Sequence, residues 1–208
     1  MNKNLLIIGG STGIGAKLVE QLSEGSNHVF ASFNKNPKSS TSNVTYFPFK
    51  VETDNLEEVS LPDSIDGLVY CPGAIDLKPF HRIKPESFRD DFELQVMGAI
   101  KVIQSVLPKL QQAETCSVIL FSTVAVNLGF NFHSKVAVSK GAIEGLTRSL
   151  AAELSPRIRV NAIAPSLTDT PLASKLLNTD DKIQANSDRH PLKRIGSCLL
   201  YTSDAADD

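Results

Sequence analysis

The chain has 208 residues, with 21 Lys plus Arg against 23 Asp plus Glu, for a formal charge of -2, and 41% of it is apolar. That suffices for one α/β domain with a sizeable core, and it offers no basic stripe to nucleic acid. No apolar run nears the ~20 residues that cross a bilayer, and the N-terminus lacks the cationic-then-apolar layout of a signal peptide. Cys71, Cys116 and Cys198 show neither C-x-x-C nor zinc-ligand spacing, so no metal site is expected and a reducing cytoplasm fits best. The expected partners are small molecules, with neither nucleic acid nor membrane among them.

The run Leu5-Leu6-Ile7-Ile8 has strand character and breaks into Gly9-Gly10-Ser11-Thr12-Gly13-Ile14-Gly15. A strand that feeds a helix through glycines brings bare backbone close to a ligand, and the helix start adds free N–H groups and a partial positive charge. Such a cradle suits a dinucleotide pyrophosphate, although Gly9-x3-Gly13-x-Gly15 is not the common G-x-G-x-x-G spacing. Ala16 to Leu22 places Leu18, Val19 and Leu22 on one helical face, with Gly25 expected to end the helix. His28 to Ser32 is a second strand, closing a β-α-β unit. An acid at its exit would hold a ribose 2′-hydroxyl; Asn34 and Lys35 instead suit a 2′-phosphate, which favours NADP(H) and leaves NAD(H) as the alternative.

Val44 to Phe49 alternates as a third strand whose Pro48 marks an end or a sheet edge. A short helix fits Asn55 to Val59, and Gly67 to Cys71 reads as a buried fourth strand running into Pro72-Gly73. From Pro85 to Leu107 one long helix is expected, with Phe88, Phe92, Val96, Ala99, Ile103 and Val106 as its core stripe. Ser117 to Thr123 is a fifth strand ending in two hydroxyls. Ser134 to Leu154 is a helix with Ile143, Leu146, Leu150 and Leu154 on its apolar face, and Ile158 to Pro165 is a sixth strand and its exit. Strands alternating with helices predict a doubly wound, Rossmann-type parallel sheet of about six strands with helices on both faces. Ligands of such sheets sit beyond the carboxyl ends of the strands, the edge to which Gly9, Lys35 and Gly73 all belong.

From Asn4 to Ser197 the chain resembles the short-chain dehydrogenase/reductase family, because several separated motifs agree in order. The family's T-G-x-x-x-G-x-G falls on Ile8 to Gly15, its N-N-A-G on Tyr70-Cys71-Pro72-Gly73, its Y-x-x-x-K on Val136 to Lys140, and its V-N-x-x-x-P-G on Val160 to Ser166. Arg189 to Gly196 is similar to the end of the family's substrate-covering loop. The resemblance implies hydride transfer between a nicotinamide and a small carbonyl or alcohol. It places the family's lysine at Lys140, its substrate-binding serine at Thr123 beside Ser122, and its asparagine at Gln95, longer by one methylene. It adds Pro165, Thr168 and Thr170 near the nicotinamide carboxamide, where turn or capping roles are the alternative for each hydroxyl. Ser139 reads as a helix-packing hydroxyl.

The tyrosine position falls on Val136, which carries no proton. The substitute donors are His133, one turn earlier, Lys140 itself, or water. The resulting expectation is an NADP(H)-preferring oxidoreductase, a homodimer or homotetramer when full length. The alternatives are a dinucleotide-binding protein without turnover and an inactive fragment. Leu172, Leu176 and Leu177 suggest an apolar lid. Residues 1–197 are expected to form one NAD(P)-binding domain. The tail from Cys198 to Asp208 departs from the family and resembles the translated frame of a sequencing adaptor, which would cut the natural chain after about Gly196 or Ser197 and leave the sixth strand as an apolar edge.

Overall fold

The structure is a computed structural model that describes residues 2–201. Six strands pair in parallel: β1 (Asn4–Ile8), β2 (His28–Phe33), β3 (Val44–Pro48), β4 (Gly67–Tyr70), β5 (Cys116–Phe121) and β6 (Ile158–Ile163), in the order β3-β2-β1-β4-β5-β6. The order reverses beside β1, so the exits of β1 and β4 diverge there and leave the crevice that α/β sheets use for ligands. The register sets Ile7 opposite Ala31 on one side and opposite Val69 on the other.

Strand periodicity explains the two cores. Leu6 and Ile8 of β1, Leu68 and Tyr70 of β4, and Val118 and Leu120 of β5 point to one face, where they meet Ala99, Val102, Ile103 and Val106. Ile7, Val29 and Ala31 point to the other and meet Leu18, Val19 and Leu22 of α1 (Gly13–Ser23). α1 ends at Ser23 with Glu24 as its right-handed cap, so Gly25 lies beyond the stop rather than forming it.

The expected long helix is not continuous. α2 (Pro85–Phe92) passes into a π-helical turn at Glu93–Met97 and then α3 (Gly98–Leu110), which carries Pro108 within its last turn. The cause comes from β4. Tyr70 Oη donates to the Leu94 carbonyl at 2.6 Å, and a Cβ on Gly98 would stand 2.3 Å from the Tyr70 oxygen, so the phenol enters where the helix has no side chain. The stripe still serves the core, with Val96, Ala99, Ile103 and Val106 all under 4% exposed.

The region from Asn55 to Val59 supplies one 3-10 turn, Leu56–Glu58. After β5 come α4 (Ala125–Leu128) and the long α5 (Ser134–Leu154), and after β6 a 3-10 segment, Pro171–Leu176, and α6 (Asp180–Arg189). α6 has little apolar periodicity, which hid it from the sequence reading. β6 is a terminal strand, but its edge is not apolar: Ile158 and Val160 are buried and Arg159 and Asn161 face solvent. Of the tail, Cys198–Tyr201 forms a 3-10 turn against α1; residues 202–208 lie outside the described residues. No described helix is long and apolar enough to cross a membrane.

Candidate cofactor and active site

The glycine segment turns sharply where β1 ends. Gly9 and Gly13 have φ of +80° and +56°, conformations that side-chain-bearing residues avoid, and a Cβ on Gly15 would stand 2.3 Å from the Gly9 carbonyl oxygen. Ser32, at the end of β2, fixes the turn from below: its Oγ accepts from Gly9 N and its carbonyl from Gly10 N, each at 2.9 Å. The sequence reading missed Ser32, whose only signal was a small polar residue in an apolar strand. Thr12 makes no side-chain cap for α1, and no acid occupies the first turn, so the dipole and free N–H groups of Gly13, Ile14 and Gly15 remain available to an anion. Ser11 is buried in the turn, whereas Asn34 and Lys35 stand exposed beyond β2.

The other exits converge on this turn. A Cβ on Gly9 would stand 3.2 Å from Pro72 N, and one on Gly13 3.5 Å from Thr170 Cβ. Thr170 Oγ1 accepts from Ala173 N at 3.2 Å, and the buried Thr168 Oγ1 donates to the Ser166 carbonyl at 3.0 Å. Both hydroxyls therefore shape their loop. Pro165 accepts from Val124 N through its carbonyl at 3.2 Å, tying the exits of β5 and β6.

Lys140 and Gln95 meet over Gly73. A Cβ there would stand 3.4 Å from Gln95 Oε1 and 4.0 Å from Lys140 Nζ. The Lys140 side chain forms no hydrogen bond or ion pair among the described residues. Burial drives its amine down to about 8, opposed by the nearby charge of Asp91. Burial pushes the Cys71 thiol up to about 12, which keeps it protonated and inert beside the lysine.

The two hydroxyls after β5 separate. Ser122 is buried and donates to Glu144 Oε1 at 2.6 Å, so it belongs to α5 packing. Thr123 Oγ1 only accepts, from Ala125 N at 3.3 Å, and its proton remains free to donate. Val136 is 7% exposed on α5, one turn before Lys140. His133 takes the N-cap position of α5 without a side-chain cap bond; it is half-buried and donates from Nδ1 to the Asn131 carbonyl at 2.8 Å. Beside Val136, Lys135 is a buried cation missed from sequence; its Nζ reaches Asp76 Oδ2 at 3.0 Å and Ser87 Oγ at 3.1 Å, fastening the segment after β4 to α5 and α2. Of the expected lid, Leu172 is exposed and Leu176 and Leu177 are half-buried. Among the described residues no cluster of His, Cys, Asp and Glu could hold a metal.

A family model described as enoyl-(acyl carrier protein) reductase matches residues 54–199. The chain belongs to the short-chain dehydrogenase/reductase family. A probable galactose dehydrogenase of Rhizobium meliloti is 27% identical over 99% of this chain and 90% of its own length. A 3-oxoacyl-[acyl-carrier-protein] reductase of Staphylococcus epidermidis is 27% identical over 94% and 86%. L-xylulose reductase of Bos taurus is 33% identical over a shorter stretch, 63% of this chain and 54% of its own. Among solved structures, a family member from Francisella tularensis superposes with a TM-score of 0.86 at 24% identity, covering 97% of this chain and 88% of that one. ElxO with NADP bound gives 0.86 at 21% identity, covering 97% and 89%.

The site fits the nicotinamide dinucleotide that short-chain dehydrogenases bind. The backbone turn is closed to side chains, the α1 start is uncapped, and one cation at the crevice has no hydrogen-bond or ion-pair partner among the described residues.

Proposed function

We propose that this chain is an NADP(H)-preferring oxidoreductase that exchanges a hydride with a small carbonyl or alcohol. The observation that carries the reading is Lys140, an ammonium held at the crevice beside Gly73 with no hydrogen bond or close ion pair among the described residues. In this reading Gly9 to Gly15 holds the pyrophosphate, Asn34 and Lys35 face the 2′-phosphate, and Pro165, Thr168 and Thr170 line the carboxamide. Lys140 holds the nicotinamide ribose, and the Thr123 hydroxyl donates to the substrate oxygen. The bound nicotinamide supplies the hydride.

The proton needs another source than position 136. Lys140 stands at Gly73 in the crevice and is still charged at neutral pH; His133 is the second donor in this reading. General acid catalysis is worth roughly 10²- to 10⁴-fold, so turnover by a site without the tyrosine is slow, set by orientation. A second reading, a dinucleotide binder without turnover, is favoured by the burial of Val136. The cysteine spacing, with neither a C-x-x-C nor a zinc-ligand pattern, supports a reducing cytoplasm, and the resemblance supports pairing of copies.

Fluorescence titration with NADPH and NADH tests the cofactor: tighter NADPH binding is expected, and binding of neither by a folded chain would sink both readings. Val136→Tyr then separates them. A gain of carbonyl reduction of at least about tenfold supports the reductase, whereas undiminished NADPH binding with no gain supports the silent binder.

A further inference from the structure

Asp91, in the last turn of α2, has no task in the assignments above. It is 4% exposed, and its Oδ2 accepts from Gln95 Nε2 at 2.7 Å and from Ser139 Oγ at 2.6 Å. Gln95 and Ser139 are 0% and 1% exposed, so α2, the π-helical turn and α5 are pinned at one oxygen. Because Gln95 commits its amino group to Asp91, its Oε1 is turned toward Gly73, the residue that Lys140 Nζ also approaches. Asp91 Oδ1 and Gln95 Oε1 are both buried with no donor in contact. A buried carboxylate with one oxygen unmatched requires a compensating charge. Lys140 follows Ser139 in the chain, has no other partner, and feels the Asp91 charge.

We propose that Asp91 is a positioning residue: it orients the Gln95 carboxamide toward Gly73 and supplies the counter-charge that keeps Lys140 an ammonium. The inference rests on the reading of Lys140 as the group that meets the cofactor, but the titration of Lys140 can be followed without one. Asp91 on α2 and Cys71 at the exit of β4 are the titratable groups that act on Lys140, and the Cys71 thiol stays neutral at ordinary pH. Of the other charges on the packed elements, Lys135 pairs with Asp76, Lys101 with Glu93, Arg89 with Glu86, and Glu144 with Arg148 and the Ser122 hydroxyl, while Asp90 and Glu153 lie exposed on the surface.

The test is competitive acetylation of the full chain across the range in which lysines titrate, read for the Lys140 peptide by mass spectrometry. Asp91→Asn keeps the shape, and Asp91→Leu removes charge and polar atoms together, a replacement that buried sites often accept. Both are expected to lower the Lys140 midpoint by roughly one pH unit. Ser139→Ala, which keeps the charge and loses one hydrogen bond, is expected to leave it in place. An unmoved midpoint in a folded Asp91 variant overturns the proposal, and so does an equal shift in Ser139→Ala, which would mark a packing role only. NADPH is expected to shield Lys140 from acetylation in the wild type. No shielding would overturn the cofactor reading, while the midpoints alone would still decide whether Asp91 is the counter-charge.

Discussion

Lys140 shows what a buried cation costs the molecule that holds it. Its amine is held near 8 by burial, below the roughly 10.4 of an unfolded lysine. Between those two values the unfolded chain binds more protons, so the penalty is complete at neutral pH and stability rises as pH climbs through that window. Replacing both charges, Lys140→Met with Asp91→Leu, is therefore expected to stabilise the fold by roughly 2 kcal/mol at neutral pH while weakening NADPH binding, whereas Lys140→Met alone, which leaves Asp91 without its counter-charge, is expected to bring no gain. Urea denaturation paired with NADPH titration checks both, and a single Lys140→Met variant as stable as the double would show that Asp91 needs no counter-charge. The sequence marked Lys140 because its spacing from Val136 matches a family motif, and it marked Gly9, Gly13 and Gly15 because only glycine suits that turn. Asp91, Ser32 and Lys135 were illegible for the opposite reason. Their roles are contacts with residues distant in the chain, and an acid, a hydroxyl or a cation carries no local sign of what it will meet.

At the scale of elements, the crevice depends on how the segment after β4 is fastened. Lys135 on α5 reaches Asp76 in that segment and Ser87 on α2, and Lys78 pairs with the same carboxylate at 2.9 Å. Lys78 first and then Lys135 hold the Asp76 carboxyl below the usual range, so the pairing contributes in full above about pH 4 and is lost as acid protonates it. The partners are unequal: Lys135 is 6% exposed, whereas the Asp76 side chain is 39% exposed. Asp76→Asn leaves a buried ammonium poorly matched and is expected to cost about 1–2 kcal/mol, more than Lys135→Met, which removes the charge itself. Chemical denaturation of the two variants ranks them, and the reverse order would contradict this account. The break between α2 and α3 was equally hidden. The apolar stripe runs through it without a gap, and its cause is a phenol delivered by β4, a strand that the periodicity of residues 85–107 says nothing about.

For the whole molecule, the alternation of apolar strand runs with helical stripes was sufficient to give the sheet, because parallel strands buried on both faces leave few other arrangements. The fate of β6 was not. Its buried Ile158 and Val160 read as an apolar edge until the face of each residue was known. Among the described residues no strand pairs with its outer side, and the solvent-facing Arg159 stands where a charge discourages strand addition. Arg159→Ile is expected to increase self-association, seen as a rise in sedimentation-average mass with concentration; an unchanged mass would show that the edge is covered by other means. Ser32 has a different reach. A single residue of one strand exit, Phe33, separates the hydroxyl that braces the glycine turn from Asn34, where the proposed reading has the adenosine end of a dinucleotide told apart. If the proposed cofactor site holds, how tightly a dinucleotide is gripped and which dinucleotide is chosen are thus written almost side by side, on a common lever. A redesign aimed at cofactor choice can vary positions 34 and 35 freely only while residue 32 is left alone, since any disturbance carried back along β2 reaches the turn that grips every dinucleotide alike.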